Sequence, residues 1–385
     1  MVWHLIVLGL WALVALVAVV VDQAGPAGRA HWILAVGLFP LMTGMMIHFT
    51  AVLTRSGPAR GWIRGVPLAA LAAGLAAFWA VTRNPVWILV AAPLGLGVVG
   101  SLWLWTVQRA RGALGGPHPG LLWYQGALLV LALGLLAILA AALQPEWWLP
   151  LRSLHLHLNL VGFMGLTAVG TLQVLLPTVG RYQDSAVNRR LQVDFKYALA
   201  GTLATGLGAA GWHVLSGVGL LLWTVPLGRL GGAVIRHLPW RAANGATLSL
   251  VGALAGFTLV LWSGLPIALG WVAAVNAVPL FFLLFLFPLL TGALSHLWPL
   301  WWWQGDGSRQ ERGQVLLARW GGVRALVFLG AGFGLMAGAS WALYLGLAGL
   351  TQFGVQGVIT VLRLAEGGGE VGSDGPGHGQ GRNGQ

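Results

Sequence analysis

Phe39-Pro40-Leu41-Met42-Thr43-Gly44, followed by His48, reappears far downstream as Phe287-Pro288-Leu289-Leu290-Thr291-Gly292, followed by His296. Five of the six positions agree, and the histidines fall in register. Shifted by 126 residues, the first copy also aligns with a third stretch, pairing His31 with His157, Gly44 with Gly170 and Arg55 with Arg181. That stretch aligns with the last copy at a shift of 122, pairing Gly170 with Gly292 and Pro177 with Pro299. Three equivalent segments of one chain make an internal repeat the organising feature of the fold.

The apolar runs around the copies define the repeating unit. Hydrophobic residues make up 57% of the chain and charged residues 8%, too little polar surface to cover a water-soluble domain. In lipid the backbone can bond only to itself, so each crossing needs roughly 20 apolar residues in a helix. On that rule spans fall near 3-21, 31-54, 66-82, 86-107, 121-143, 154-178, 194-210, 214-230, 246-264, 269-299, 322-341 and 343-362. The repeated segments are the second, sixth and tenth of these. The sequence thus predicts an all-α membrane protein of about 12 transmembrane helices in three pseudo-symmetric four-helix units, 1-111, 112-241 and 242-363. An even number of spans per unit makes the units parallel. Residues 364-385 are Gly-rich and polar, and are expected to form a disordered cytoplasmic tail. The first apolar run has no basic segment before it and no small-residue cleavage site after it, so it reads as a retained span.

Loop charges test that count independently. With both termini cytoplasmic, eighteen of the basic residues lie in inner connections and the tail, leaving Arg29, Arg83 and Arg152 outside. One missed span would invert every later loop and destroy this asymmetry. Short arginine clusters between apolar runs indicate orientation in a cell inner (cytoplasmic) membrane, not nucleic-acid binding. The expected partner is the lipid bilayer.

The chain has no Cys, which removes disulfides, thiolate metal sites and thiol nucleophiles. Its nine acidic residues all fall in loops, the tail or span ends, which argues against a proton-coupled carrier. There is no Walker A loop, nucleophile elbow or His-Glu-x-x-His pair. The Gly330, Gly334 and Gly338 spacing reads as close helix packing.

Histidine is therefore the residue with most chemistry to offer. His31, His155, His157 and His213 gather at the outer ends of spans, whereas His48 and His296 lie at the inner ends of the second and tenth. In His155-Leu156-His157-Leu158-Asn159, His155 and Asn159 share a helical face while His157 points about 160° away from Asn159. The two imidazoles thus suit two partners, and a bis-histidine site would pair one with another span, such as His31 or His213. The competing reading makes them interfacial side chains bonded to headgroups, water or loop carbonyls. His48 and His296 are candidate metal ligands, with Met42, Met45 and Met46 as possible soft ligands to copper. His4, His118, His237 and His378 read as solvated.

Three parallel four-helix units with histidines at the outer ends of spans two and six resemble subunit I of the heme-copper oxidase superfamily, and the shorter NnrS-type heme- and copper-containing membrane proteins related to it. The resemblance implies heme, copper or both as cofactors, an electron-donor protein as partner, and a role in respiration or nitric oxide metabolism as an oxidoreductase. It makes His31 the nearest match to a low-spin heme ligand, and His155, His157 and His213 the nearest matches to copper ligands. The paired histidines of the superfamily's seventh span are missing, and Pro279 stands where the tenth span would repeat His157. The alternative class is a transporter or channel for a metal ion or small solute, whose midplane path would rest on Asn276, Gln173 and scattered threonines.

Overall fold

In the computed structural model, which describes Gly9, Trp11 and residues 24–366, every regular element among the described residues is helical. Taken in order they are α1 (Pro26–Leu53), α2 (Val66–Thr82), α3 (Ile88–Arg111), α4 (Gly120–Leu143), α5 (Pro145–Gly180), α6 (Val187–Ala209), α7 (His213–His237), α8 (Gly245–Ala268), α9 (Ala274–Trp302), α10 (Gly307–Ala318), α11 (Gly321–Met336) and α12 (Ala342–Glu366). Among the described residues ten segments are long and apolar enough to cross a membrane, with α10 and α11 together counted as one. The expected first span, near 3-21, lies outside the described residues apart from Gly9 and Trp11. The expected seventh span falls on α6, which is not among the ten. It begins well before the apolar run and carries Arg189, Arg190, Asp194 and Lys196 in its first half.

The three repeated segments share a departure from α-helical geometry. Wide π-helical turns occupy Trp32–Leu38 in α1, Leu158–Met164 in α5 and Phe281–Leu286 in α9. The 126-residue shift carries the first of these onto the second residue for residue, and the 122-residue shift carries the second onto the third to within one position. The chain ends of α1 and α5 match as well. Arg55 and Arg181, repeat partners, are the two non-glycine residues with positive φ among those described, at 50° and 54°.

A π turn leaves carbonyls poorly matched to their own helix, and neighbouring groups take them up. The indole of Trp11 donates to the Val36 carbonyl at 3.1 Å. Gly74 of α2 packs on the carbonyl of Ala35, and Gly256 of α8 on that of Leu284, so closely that a Cβ at either glycine would overlap the oxygen. Lipid offers little hydrophobic drive between helices, so close approach through small residues carries the association. Large rings fill the remaining space. Trp223 packs edge-on against Phe257 at 5.3 Å, and Phe257 meets Phe285 at 4.5 Å, joining α7, α8 and α9. Trp123 of α4 is fully buried against Gly170 of α5 and donates to the Leu191 carbonyl of α6 at 3.0 Å.

The Gly330 series packs differently from its sequence reading. Gly330 is exposed and has no neighbour within reach of a Cβ, and Gly338 sits in a turn at φ 85°. Of the three, only Gly334 touches another segment, at Ala342 and Trp341.

Candidate functional site

Near its N-terminal end α1 stops being α-helical immediately after His31, and α5 does so immediately after His157. Three imidazoles lie on these last regular turns, and each is tied through Nδ1 to a backbone carbonyl. His31 bonds to Ala27 O, His155 to Gly134 O and His157 to Ser153 O, each at 2.9 Å. A carbonyl can only accept, so Nδ1 carries the proton in all three and Nε2 is left with its lone pair. This tautomer is the one in which Nε2 can ligate a metal while the carbonyl holds the ring in place.

Two of the three meet. The rings of His31 and His155 lie with centroids 6.5 Å apart and planes 8° from parallel. Two imidazoles bound on opposite sides of one metal, with metal–nitrogen bonds of about 2 Å, place their ring centroids roughly 6 Å apart. The rings are stacked near-parallel, and the pair has the spacing and the tautomers that a bis-imidazole ligand set would need. Both side chains are half-buried. Deeper in the bundle the same two helices touch again through Phe39 and Phe163, edge-on at 6.0 Å. His155 is the more firmly held of the two. Its carbonyl accepts from Asn159 Nδ2 at 2.6 Å, and Gly134, whose oxygen takes the imidazole proton, is a glycine at a crowded point where a Cβ would lie 3.2 Å from that same amide. The Asn159 amide nitrogen also stands 3.1 Å from His155 Nδ1, a contact between two donors once Nδ1 bonds to Gly134. Arg152, one turn before His155 and exposed, lies within electrostatic reach of both rings.

No family model, curated protein or solved structure matches this chain. The candidate site thus rests on its own geometry.

The other histidines are placed apart from the pair. His157 turns back onto its own helix at Ser153, and His213 is exposed as the first residue of α7. At the opposite end, His48 packs edge-on against Phe49 and Trp301, with Nδ1 buried and without a partner. Met46 is buried in the core, while Met45 packs with Phe49 against Leu294, Leu297 and Trp301. His296 lines a cavity described below, and its carbonyl accepts from Gln314 at 3.2 Å. Among the described residues no three His, Asp or Glu side chains converge as a metal cage. His118 is not merely solvated. Its Nδ1 accepts from the Gly120 N–H at 3.1 Å at the start of α4, and burial lowers the imidazole's affinity for protons.

Of the polar groups reckoned as a transport path, Gln173 is engaged in a buried ion-pair cluster. Gln173 is fully buried and accepts from Arg190 Nε at 3.0 Å, while Asp184 takes the same guanidinium at 2.6 Å. Asp194, counted as a span-end residue from the sequence, is completely buried within α6 and paired with Arg229 of α7 at 3.0 Å. Periodicity alone gave no sign of these pairs, because their members lie in different helices or across a loop. Gly134 was equally hidden, one glycine in a run of Leu and Ala.

Proposed function

We propose that this chain is a multi-pass membrane protein that holds a heme through His31 and His155. The observation that carries the reading is the facing of these two imidazoles from separate helices, 6.5 Å and 8° apart, each protonated on Nδ1. The residues fit that group. Ala27 and Gly134 fix the rings, and Arg152 supplies a positive charge at the edge of the pair. That charge favours a ligand bearing carboxylates over a bare copper ion. When bound, a heme with two imidazole ligands supplies one-electron transfer, at a potential tuned by burial. An oxidoreductase role in respiration or nitric oxide metabolism, served by an electron-donor protein, follows from the likeness to heme-copper oxidases.

The same reading places twelve spans in three units of four, with the arginine-rich ends cytoplasmic and the histidine pair at the outer leaflet of the inner membrane. The coincidence of the three π turns under the repeat shifts supports the units, and the left-handed Arg55 and Arg181 support the pairing of the first two.

The test is an optical spectrum and metal analysis of detergent-purified protein. The expected result is a Soret band with sharp reduced visible bands, lost in both His31→Ala and His155→Ala and kept in His157→Ala and His213→Ala. Copper without heme, or a Soret band indifferent to His31 and His155, would overturn the assignment.

A further inference from the structure

A cavity of about 230 Å³ lies at the other end of the bundle, where α5, α8, α9 and α10 meet. Arg181 and Arg319 line it with His296 and Ser295, and one carboxylate, Glu311, stands at 3.9 Å from Arg181. Both members of that pair are mostly exposed, at 77% and 70%, so the carboxylate neutralises the wall only weakly. The first residues of α8 form part of the same wall. Asn244 Oδ1 accepts from Thr247 N at 2.9 Å, but the N–H groups of Gly245 and Ala246 donate to no described residue. A 24-residue helix therefore brings its positive end to a cavity whose wall includes two arginines.

Two details narrow the ligand. Arg181 adopts φ 54°, a conformation that costs an arginine more than it would a glycine or asparagine, so the chain bears strain at the position that places this charge. Arg319 lies 5.7 Å from the ring of Trp320, which is half-exposed as an interfacial tryptophan would be. Guanidinium forks and free backbone N–H groups together suit an oxyanion with several acceptor oxygens, and a basic pocket between helices at the interface is where lipid phosphates reside.

We propose that this cavity binds a phosphate group. The inference is independent of the histidine pair. The positive wall also makes an anion, not a metal cation, the natural neighbour of His296 there.

The experiment uses full-length protein in detergent, titrated with phosphatidylglycerol, with phosphatidylcholine as the neutral control, and separately with inorganic phosphate. Binding is read by native mass spectrometry for the lipids and by calorimetry for the ion. Arg319→Gln and Arg181→Asn, the latter chosen because asparagine tolerates the same backbone, should each weaken binding about tenfold or more. Glu311→Gln should tighten it, since the competing carboxylate is gone. Dependence on these residues seen with phosphatidylglycerol alone identifies a lipid headgroup, and the same dependence with inorganic phosphate identifies a soluble phosphate. Binding of neither, or equal binding by wild type and both arginine variants, would overturn the proposal.

Discussion

Replacing Gly256 by alanine tests whether the π turn of α9 is held by backbone contact. Gly256 lies in mid-α8, and a Cβ there would overlap Leu284 O and stand 2.5 Å from the Leu284 carbonyl carbon. A normal carbon–carbon contact is about 3.5 Å, so the two helices must part by at least about 1 Å. The obstacle is backbone, which cannot rotate aside as a side chain can. Overpacking typically costs about 1–3 kcal/mol, and Gly256→Ala should reach or exceed the upper end. Gly330→Ala is the internal control. It is also within a spanning helix but has open space around it, so it should be neutral or gain up to about 1 kcal/mol of helix propensity. The pair should therefore differ by about 4 kcal/mol, close to a thousandfold in the unfolding equilibrium. Thermal inactivation half-lives in one detergent, followed by fluorescence-detected gel filtration, provide the comparison. If Gly256→Ala decays no faster than Gly330→Ala, close packing on the Leu284 carbonyl is not what sets the helix spacing.

Further predictions concern buried polar groups. Arg229→Gln should cost more stability than Asp194→Asn, on the order of 3 kcal/mol, because it strands a fully buried carboxylate whereas Arg229 alone, 41% exposed, can turn outward. Thermal melts of both single variants decide this, and equal losses would refute it. Tyr182, outside the spans, has its hydroxyl buried without a partner, and burial foremost pushes its pKa up to about 12. The unfolded phenol ionises near pH 10, so stability should fall between about pH 10 and 12 as the unfolded state alone loses its proton. Tyr182→Phe should flatten that decline in an alkaline melting series, and an unchanged slope would refute it. Asn159→Ala should leave any Soret band near wild type, since Gly134 still accepts the His155 proton, and loss of the band would show that the amide sets the ring.

The helical membrane architecture was legible because lipid imposes a length and a composition on every crossing. Several interior boundaries came close, as with Gly120–Leu143 against 121-143, whereas Pro145–Gly180 starts well before 154 and His213–His237 runs past 230. The start of α6 was not legible, because a helix continues into water as readily as it continues in lipid and hydropathy marks only the apolar part. In the histidine cluster, the 100° period correctly set Asn159 beside His155, since Asn159 is only the second residue of the π turn and the helix before it is regular. Which other helix would face His155 was left open between His31 and His213. That choice depends on how helices are arranged around the bundle, and neither span length nor loop charge encodes it. The ion pairs of Asp194 and Arg190 were missed for the same reason.

The π turns have a further consequence for how such a helix is read. A seven-residue π segment winds roughly 100° less than α-helix of equal length, about the angle subtended by one inserted residue. Beyond it, every side chain is re-aimed by that angle. The three insertions act as phase shifters at matching depth, letting one chain present an imidazole-bearing face at one leaflet and a small-residue packing face at the other. Deleting one residue inside such a turn would turn the two halves out of phase while leaving every side chain chemically intact.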